Sequence, residues 1–302
     1  MKLIISREVA AALESGGPIV ALESAVITHG LPSPINLECA LALEGEVRAG
    51  GATPGTVAFI NHEARVGLSG DELAALAHTE AKTKVSPRDV GVMLAGLRAP
   101  YGGTTVAGTI LLAQQVGLRV FATGGIGGVH RGASSSFDIS ADLPMLARTP
   151  MLVVCSGAKA ILDLPATREW LETAGIPVLG WQTDELPAFY SRESGLPVDL
   201  RVESVAEVVA VARAHWGAGL PSAVLLTVPP PANVAIPADE IRAAISHALS
   251  QSRAAGVHGR EVTPYLLDAM REATAGRSMT TNVALLRNNA AVAAAVAVEL
   301  YR

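Results

Sequence analysis

Lys159, Asp138, Asp142 and Glu23 are the side chains whose types and settings can do chemistry. Lys159 follows the apolar run Met151–Val154 and sits among Gly157, Ala158, Ala160 and Ile161. An amine at a strand exit among such neighbours is partly desolvated. Desolvation disfavours ammonium and leaves more free amine to attack a carbonyl-like carbon. Spacing alone equally allows a lysine whose stem packs while its head reaches water. Asp138 and Asp142 lie four apart in F-D-x-S-x-D, so a helix puts them on one face. One can then hold a hard divalent cation, with waters and substrate oxygens as its other ligands, while the other binds sugar hydroxyls. Helix capping by Asp138 or Ser140 accounts for the same residues without chemistry. Glu23 leaves the strand-like run Pro18–Leu22, and a carboxyl there serves as general acid or base if its pKa is raised. A solvated loop-edge glutamate is the plain alternative.

Several weaker signals surround these. Gly124-Gly125-Ile126-Gly127-Gly128 lets backbone N–H groups approach an anion, or is simply a tight turn. A dinucleotide fingerprint read from Gly125 requires glycine where His130 stands, and no acid closes a following strand at the expected distance, which argues against a nucleotide cofactor. Lys84 and Arg88, with Lys82, form a small basic group suited to a phosphate or to a solvated surface. Thr104-Thr105 at a helix start can cap it or hold phosphate oxygens. Asn282 can cap a helix or read a base edge.

The elements that must position these groups follow from the rest of the chain. Its 302 residues are 50% hydrophobic, enough for a full core, and only 4% aromatic, so Ala, Val, Leu and Gly must fill it. A net charge of −5 without a basic stripe argues against nucleic acid but leaves room for a phosphorylated small substrate. Cys39 and Cys155 belong to no ligand-spaced cluster, so a reduced cytoplasmic compartment is expected. The first residues lack a signal peptide's apolar core. Val283–Val298, broken by Arg287, Asn288 and Asn289, reads as a buried helix and not a membrane span.

Ser6 is placed to cap a helix ending at Gly16-Gly17, and Asn36 to cap one ending at Gly50-Gly51. Thr56–Ile60 and Arg65–Leu68 read as strands paired through an Asn61–Ala64 turn. Asp71–Ala77 reads as helix, a short strand runs near Lys84, and Pro87 opens a helix. Gly102-Gly103-Thr104-Thr105 precedes a helix reaching Val116. Val120–Ala122 and Met151–Val154 are buried strands. Helix over Ala166–Ala174, strand over Pro177–Leu179 and a long loop to Pro197 follow. Then come helix Val205–Trp216, strand Ala223–Val228 and helices near Ala238–Ala254, Thr263–Ala273 and Thr281–Leu300. Such alternation implies a three-layer α/β/α domain around a mixed, mainly parallel sheet, with residues 1–302 as one domain. The proline loop near 229–237 is the best candidate for a subdomain joint.

The order of the motifs is more specific than any one of them. A-L-E-S with T-H-G-x-P-x-P-x-N (Ala21–Ser24, Thr28–Asn36), K-V-S-x-R-D (Lys84–Asp89), G-T-T-V-A (Gly103–Ala107), A-T-G-G-I-G-G-V-H-R-G (Ala122–Gly132), F-D-I-S-A-D-L (Phe137–Leu143), C-S-G-A-K-A-I-L-D (Cys155–Asp163) and T-N-V-A-L-L-x-N-N-A (Thr281–Ala290) run through nearly the whole chain. Together they closely resemble the pseudouridine-5′-phosphate glycosidase family, which includes proteins named for indigoidine biosynthesis.

The resemblance implies roles residue by residue. Lys159 matches a nucleophilic lysine that forms a Schiff base with ribose C1′. Glu23 matches a proton donor and Asp138 a manganese ligand. Ser140, Ala141 and Asp142 match a substrate-contacting segment, and Lys84 and Val106 match further substrate positions. His130 and Asn282 fall in motifs that face the substrate. A cytoplasmic homotrimer that binds Mn2+, pseudouridine 5′-phosphate, uracil and ribose 5-phosphate is implied, with no nucleic acid or membrane partner. Ala25, Leu31, Ser33 and Pro87 depart from the family pattern without removing a chemical group. Two other readings keep part of this set: a different Schiff-base lyase acting on a phosphorylated sugar, and a non-catalytic sugar-phosphate-binding regulator.

Overall fold

A computed structural model describes residues 3–257 and 262–302. β1 (Leu3–Ile5) and α1 (Arg7–Glu14) lead into β2 (Ile19–Leu22), a π-helical turn at Val26–Gly30 and α2 (Ile35–Ala49). β3 (Thr53–Ile60) and β4 (Glu63–Val66) form a hairpin. α3 (Gly70–His78), β5 (Lys82–Val85), α4 (Pro87–Leu94), β6 (Tyr101–Thr104) and α5 (Val106–Gln115) follow. After β7 (Val120–Ala122) come two short helices, α6 (Ala133–Ser136) and α7 (Asp142–Leu146). Next are β8 (Leu152–Cys155), α8 (Leu164–Thr173), β9 (Val178–Trp181), β10 (Leu200–Val202), α9 (Val205–Gly217) and β11 (Val224–Thr227). The last helices described are α10 (Ala238–Ala254), α11 (Val262–Ala273) and α12 (Arg277–Leu300).

The main sheet runs β3-β2-β7-β8-β11-β9-β10 and every neighbouring pair in it is parallel. Its central strands are buried on both faces, as parallel strands covered by helices must be. α12 lies across β2, β7 and β8 with α2 and α9 against it, while α5 covers β2 and β3 and packs on α4 and α7. By length and composition α12 could cross a bilayer. Here its buried face, with Leu285, Leu286, Ala290, Ala293 and Ala297, is the helical layer over the main sheet.

β3 is longer than its neighbours and forks. Thr53–Thr56 pair with β2, whereas Val57–Ile60 pair antiparallel with β4 and Ala58–Phe59 with β6. The second half of β3 thereby carries a small mixed extension in which β5 pairs β6 and β1 pairs β4. At the fork the carbonyl of Val57 accepts hydrogen bonds from the hydroxyls of Ser24 (2.5 Å) and Thr104 (2.7 Å). Ser24 in turn accepts from the Thr104 N–H at 3.0 Å, and both side chains are fully buried.

Most expected elements are present, with adjustments that have local causes. Ser6 caps α1 by accepting from the Val9 N–H, and Pro87 opens α4 at its first turn. The β3–β4 turn is tighter than the expected Asn61–Ala64. Asn61 and His62 alone make it, at φ of 51° and 65°, a left-handed pair that suits a two-residue hairpin. Asn36 is not a cap: it lies inside α2, buried, with its amide donating to the carbonyls of Ile27 and Ala77. Gly102-Gly103 are not loop but part of β6, and β1 and β10 add short strands where no alternation marks them. Gly103 carries no side chain because a Cβ there would lie 2.0 Å from the Thr28 hydroxyl oxygen and 2.8 Å from the Ser24 carbonyl.

One polar residue ties α12 to the sheet. Asn289 is fully buried; its amide donates to the Thr123 carbonyl (2.9 Å) and to the Ser156 hydroxyl oxygen (3.1 Å), just past the ends of β7 and β8. Replacing Asn289 by Ala strands these buried partners, and Asn289→Ala should lose about 1–3 kcal/mol. Urea unfolding checks this: the midpoint should fall with an unchanged m value. An unchanged midpoint would show that the link carries no net stability.

Candidate functional site

Parallel register places the reactive residues side by side. Leu22 of β2 pairs with Ala122 of β7, Ala122 with Val154 of β8, and Val154 with Leu226 of β11. The C-terminal ends of these strands therefore open at one edge, where open α/β sheets bind ligands. Glu23 is the first residue past β2 and Thr123 the first past β7, and the Thr123 hydroxyl donates to a Glu23 carboxylate oxygen. Thr123 was not singled out in the sequence, although its place directly beyond a buried strand marks it once the strands are paired.

Lys159 follows β8 through a turn that its surroundings dictate. Gly157 has φ +80°, and a Cβ there would lie 2.1 Å from the Pro187 carbonyl oxygen, so glycine alone fits. The Lys159 N–H then bonds the Ile126 carbonyl at 3.0 Å, and Ala158 pairs with Ile126 as an isolated parallel bridge. The glycine cluster is thus stitched to the lysine segment by its backbone. Lys159 itself is partly buried.

Asp142 begins α7 and is buried. Its two carboxylate oxygens accept from the Ala107 N–H of α5 (2.9 Å) and the Gly127 N–H of the glycine cluster (2.7 Å). A Cβ on Gly127 would come within 2.2 Å of the Ser140 hydroxyl oxygen and 2.7 Å of Asp142. The cluster therefore receives a carboxylate of the protein itself. Asp138 and Asp142 do not share a helix face, contrary to the spacing argument. Asp138 precedes α7 in an extended stretch whose Ile139 bridges Val129 antiparallel, while Asp142 opens the helix. Capping is also different from either alternative: the Ser140 hydroxyl accepts from the Asp142 N–H, and Asp138 caps nothing.

Electrostatics join four of the expected residues. Burial raises the Glu23 carboxyl above the ordinary carboxylate range. The charges of Lys159 and Lys84 and the Thr123 hydrogen bond oppose this, and the Asp142 charge reinforces it. Lys159, Lys84 and Asp142 thus all act on Glu23. Lys84 reaches the group from β5, whose register sets it opposite Gly103. Val106, at the first turn of α5, has a buried side chain, so it can offer a ligand only its backbone. Ala141 is exposed and Ser140 partly buried beside Asp142. Asn282 is partly buried on α12 and makes no hydrogen bond to these residues among those described.

Asp138 and His130 form a second pair. The His130 N–H bonds the Asp138 carbonyl at 3.0 Å, and its Nδ1 lies 3.8 Å from an Asp138 carboxylate oxygen, with that carboxylate about half exposed. Among the described residues no cluster of three His, Cys, Asp or Glu side chains could cage a metal. One accessible carboxylate fits a hard divalent ion that keeps most of its water. A cavity of about 490 Å³ lined by Arg131, Asp163, Ser246, Leu249 and Ser250 contains none of these reactive groups. The expected residues gather instead at the strand ends, where the Lys159 charge acts on Glu23.

The raised Glu23 has a consequence for stability. An acid whose folded pKa exceeds its unfolded one favours folding while protonated, and that contribution is lost as pH rises through the folded value. Glu23→Gln should therefore raise Tm at neutral pH relative to the parent, with the gap closing below about pH 4. Thermal unfolding of both proteins across that range checks the sign. An equal gap at all pH values would mean that Glu23 titrates normally.

Comparison with known proteins places the whole chain in one family. A family model described as indigoidine synthase A like protein matches residues 8–299. Proteins named pseudouridine-5′-phosphate glycosidase are similar over full length. The one from Herpetosiphon aurantiacus is 52% identical over 100% of this chain and 99% of its own. That from Chloroflexus aurantiacus is 52% identical over 99% and 98%. A solved prealnumycin C-glycosynthase, AlnA, in complex with ribulose 5-phosphate, superposes with a TM-score of 0.91 at 41% identity, covering 99% of this chain and 97% of that one. An indigoidine synthase A-like protein from Thermotoga maritima gives 0.89 at 34% identity, covering 99% and 97%. The chain belongs to the indigoidine synthase A-like family, whose curated relatives carry the name pseudouridine-5′-phosphate glycosidase.

Proposed function

We propose that the protein catalyses the reversible conversion of pseudouridine 5′-phosphate and water to uracil and ribose 5-phosphate. The observation that carries this reading is that Glu23, past β2, feels the charges of Lys159, past β8, and of Lys84, at one edge of the parallel sheet where β7 lies between the two strands. The names of relatives half identical to this chain over its whole length support the substrate. AlnA's name, a C-glycosynthase, supports carbon–carbon glycosidic chemistry, and its bound ribulose 5-phosphate supports a pentose phosphate.

The bond to be broken joins uracil C5 to ribose C1′. Carbon is a poor leaving atom, so direct protonation by a pair of carboxyl groups, which serves ordinary glycosides, does not suffice. Covalent catalysis divides the difficulty. In our reading a proton passed from Lys159 to Glu23 leaves an amine beside a carboxylic acid, the two forms the reaction needs. Burial of Glu23 favours its protonated form. Glu23 then protonates the ribose ring oxygen as the C1′–O bond opens, and the Lys159 amine bonds to C1′. The proton that the C1′-bound nitrogen then sheds returns to Glu23, which delivers it to uracil C5; the nitrogen lone pair forms the C1′ iminium while the C1′–C5 bond electrons return to the base. Water hydrolyses the iminium to ribose 5-phosphate and regenerates the amine.

Ser140, Ala141, Asp142, Val106, His130 and Asn282 are our candidates for orienting the sugar and base, Asp142 chiefly by fixing the loop around them. Asp138 is the candidate ligand for Mn2+. When bound there, a divalent ion supplies positive charge that screens phosphate and orients oxygen ligands. We also infer a cytoplasmic homotrimer. The free, buried Cys39 and Cys155 suit a reducing compartment, and the exposed Phe137 and Ile139 flanking Asp138 suit cover by a neighbouring subunit.

With Mn2+ present, incubation with pseudouridine 5′-phosphate should release uracil, followed by chromatography. Absence of release would sink the reading. Borohydride reduction in the presence of ribose 5-phosphate should add the reduced sugar phosphate to the parent protein, seen by mass. Lys159→Ala should lose the adduct; equal trapping would reassign the nucleophile.

A further inference from the structure

The residues that leave β7 and β8 stay zipped together beyond the strands. The Thr123 N–H bonds the Val154 carbonyl (3.0 Å), the Ser156 N–H the Gly124 carbonyl (2.9 Å) and the Ile126 N–H the Gly157 carbonyl (3.1 Å). The Lys159 N–H on the Ile126 carbonyl is the last rung. Glycines at 124, 125 and 157 leave these exits few side chains with which to lock their position. A polar tie at the foot of the ladder supplies what they lack.

That tie is the Asn289 side chain of α12, which bonds both exits. A carbonyl only accepts, so the contact with Thr123 at 2.9 Å requires the amide nitrogen there and fixes which way the amide faces. The Ser156 hydroxyl oxygen lies 3.1 Å from the same nitrogen and 3.3 Å from the amide oxygen. One turn earlier Leu285 and Leu286 press on Gly124, where a Cβ would lie 3.2 Å from Leu286. Thr123 is the step from this amide to the chemistry. Its N–H, carbonyl and hydroxyl go to Val154 of β8, Asn289 of α12 and Glu23 past β2. With its backbone held on both sides, its hydroxyl is aimed at the Glu23 carboxylate. Asn289 has no exposed surface, so it acts only through the groups it holds.

We propose that Asn289 is a positioning residue for the reaction: its amide sets the exit of β7, which orients the acid Glu23, against the exit of β8, which leads to the amine Lys159. The inference rests on the proposed function above and adds a residue to it. Acid and amine come from different strands and must both be aligned with one substrate. A misplacement of about 1 Å costs about a hundredfold in rate. Neither Asn289 nor the ladder it holds is needed for the substrate to enter, so loss of the amide slows the chemistry more than it weakens binding.

Steady-state uracil release from pseudouridine 5′-phosphate, measured well below the melting temperature of each variant, tests this. Asn289→Ala should lower kcat by about ten- to a hundredfold and change KM by less than about threefold. Should that variant not fold, Asn289→Ser takes its place. Thr123→Val removes the hydroxyl on Glu23 but keeps the carbonyl on Asn289, and it should lower kcat as well. Because Asn289 acts in part through Thr123, the loss in the double variant should be at least about threefold smaller than the product of the single losses. A residue that only fastens α12 to the sheet would lower Tm and leave kcat of the folded protein within about twofold of the parent. That result overturns the inference, as do losses that multiply in full, and the proposed function then stands on the parent's own uracil release. If the parent neither releases uracil nor forms the borohydride adduct, both fall.

Discussion

The Asp142 carboxylate is the interaction on which the site depends. It accepts one backbone N–H from the first turn of α5 and another from the glycine cluster. A helix start and a loop of small residues are otherwise free to move relative to each other. A buried carboxylate with an N–H on each oxygen fixes both. Once the cluster is fixed, its Ile126 carbonyl receives the Lys159 N–H, and the amine's position follows. The cluster's glycines serve this packing. Phe189 abuts Gly125, Thr167 abuts Gly128, and Ser140 with Asp142 abuts Gly127.

Two opposed demands meet around Glu23. Burial pushes the carboxyl toward its neutral form, whereas Lys159, Lys84 and the Thr123 hydroxyl favour the charged one. The net direction is upward, so burial with the Asp142 charge outweighs the cations and the hydrogen bond. A group balanced in this way changes protonation in response to small changes in its neighbours, which is what an acid adjoining an amine requires.

Much of this was legible from the sequence because it is local. Buried strands read as apolar runs, caps as Ser6 and Pro87, and the hairpin as Asn61 between two strands. Glu23, Lys84, Asp142 and Lys159 were all singled out from the sequence, though only their ordered motifs raised them above ordinary packing or surface roles. What was not legible depends on contacts distant in sequence. Gly102-Gly103 has no strand signature, since β6 exists only through pairing with β3 and β5. Asn36 reads as a cap and Asn289 only as a break in an apolar run, and both instead bind carbonyls across the fold. The shared face proposed for Asp138 and Asp142 assumed a helix that begins only at the second of them.

β3 belongs to two sheets at once. Its first half stands beside β2, which delivers Glu23, and its second half carries β6 and through it the lysines of β5. The hydroxyls of Ser24 and Thr104 both hold the carbonyl at its fork, with no slack between them. The strand is therefore a ruler. It sets the span between the strand end that carries Glu23 and the strand that carries Lys82 and Lys84, so a shift of either half of β3 would change that distance.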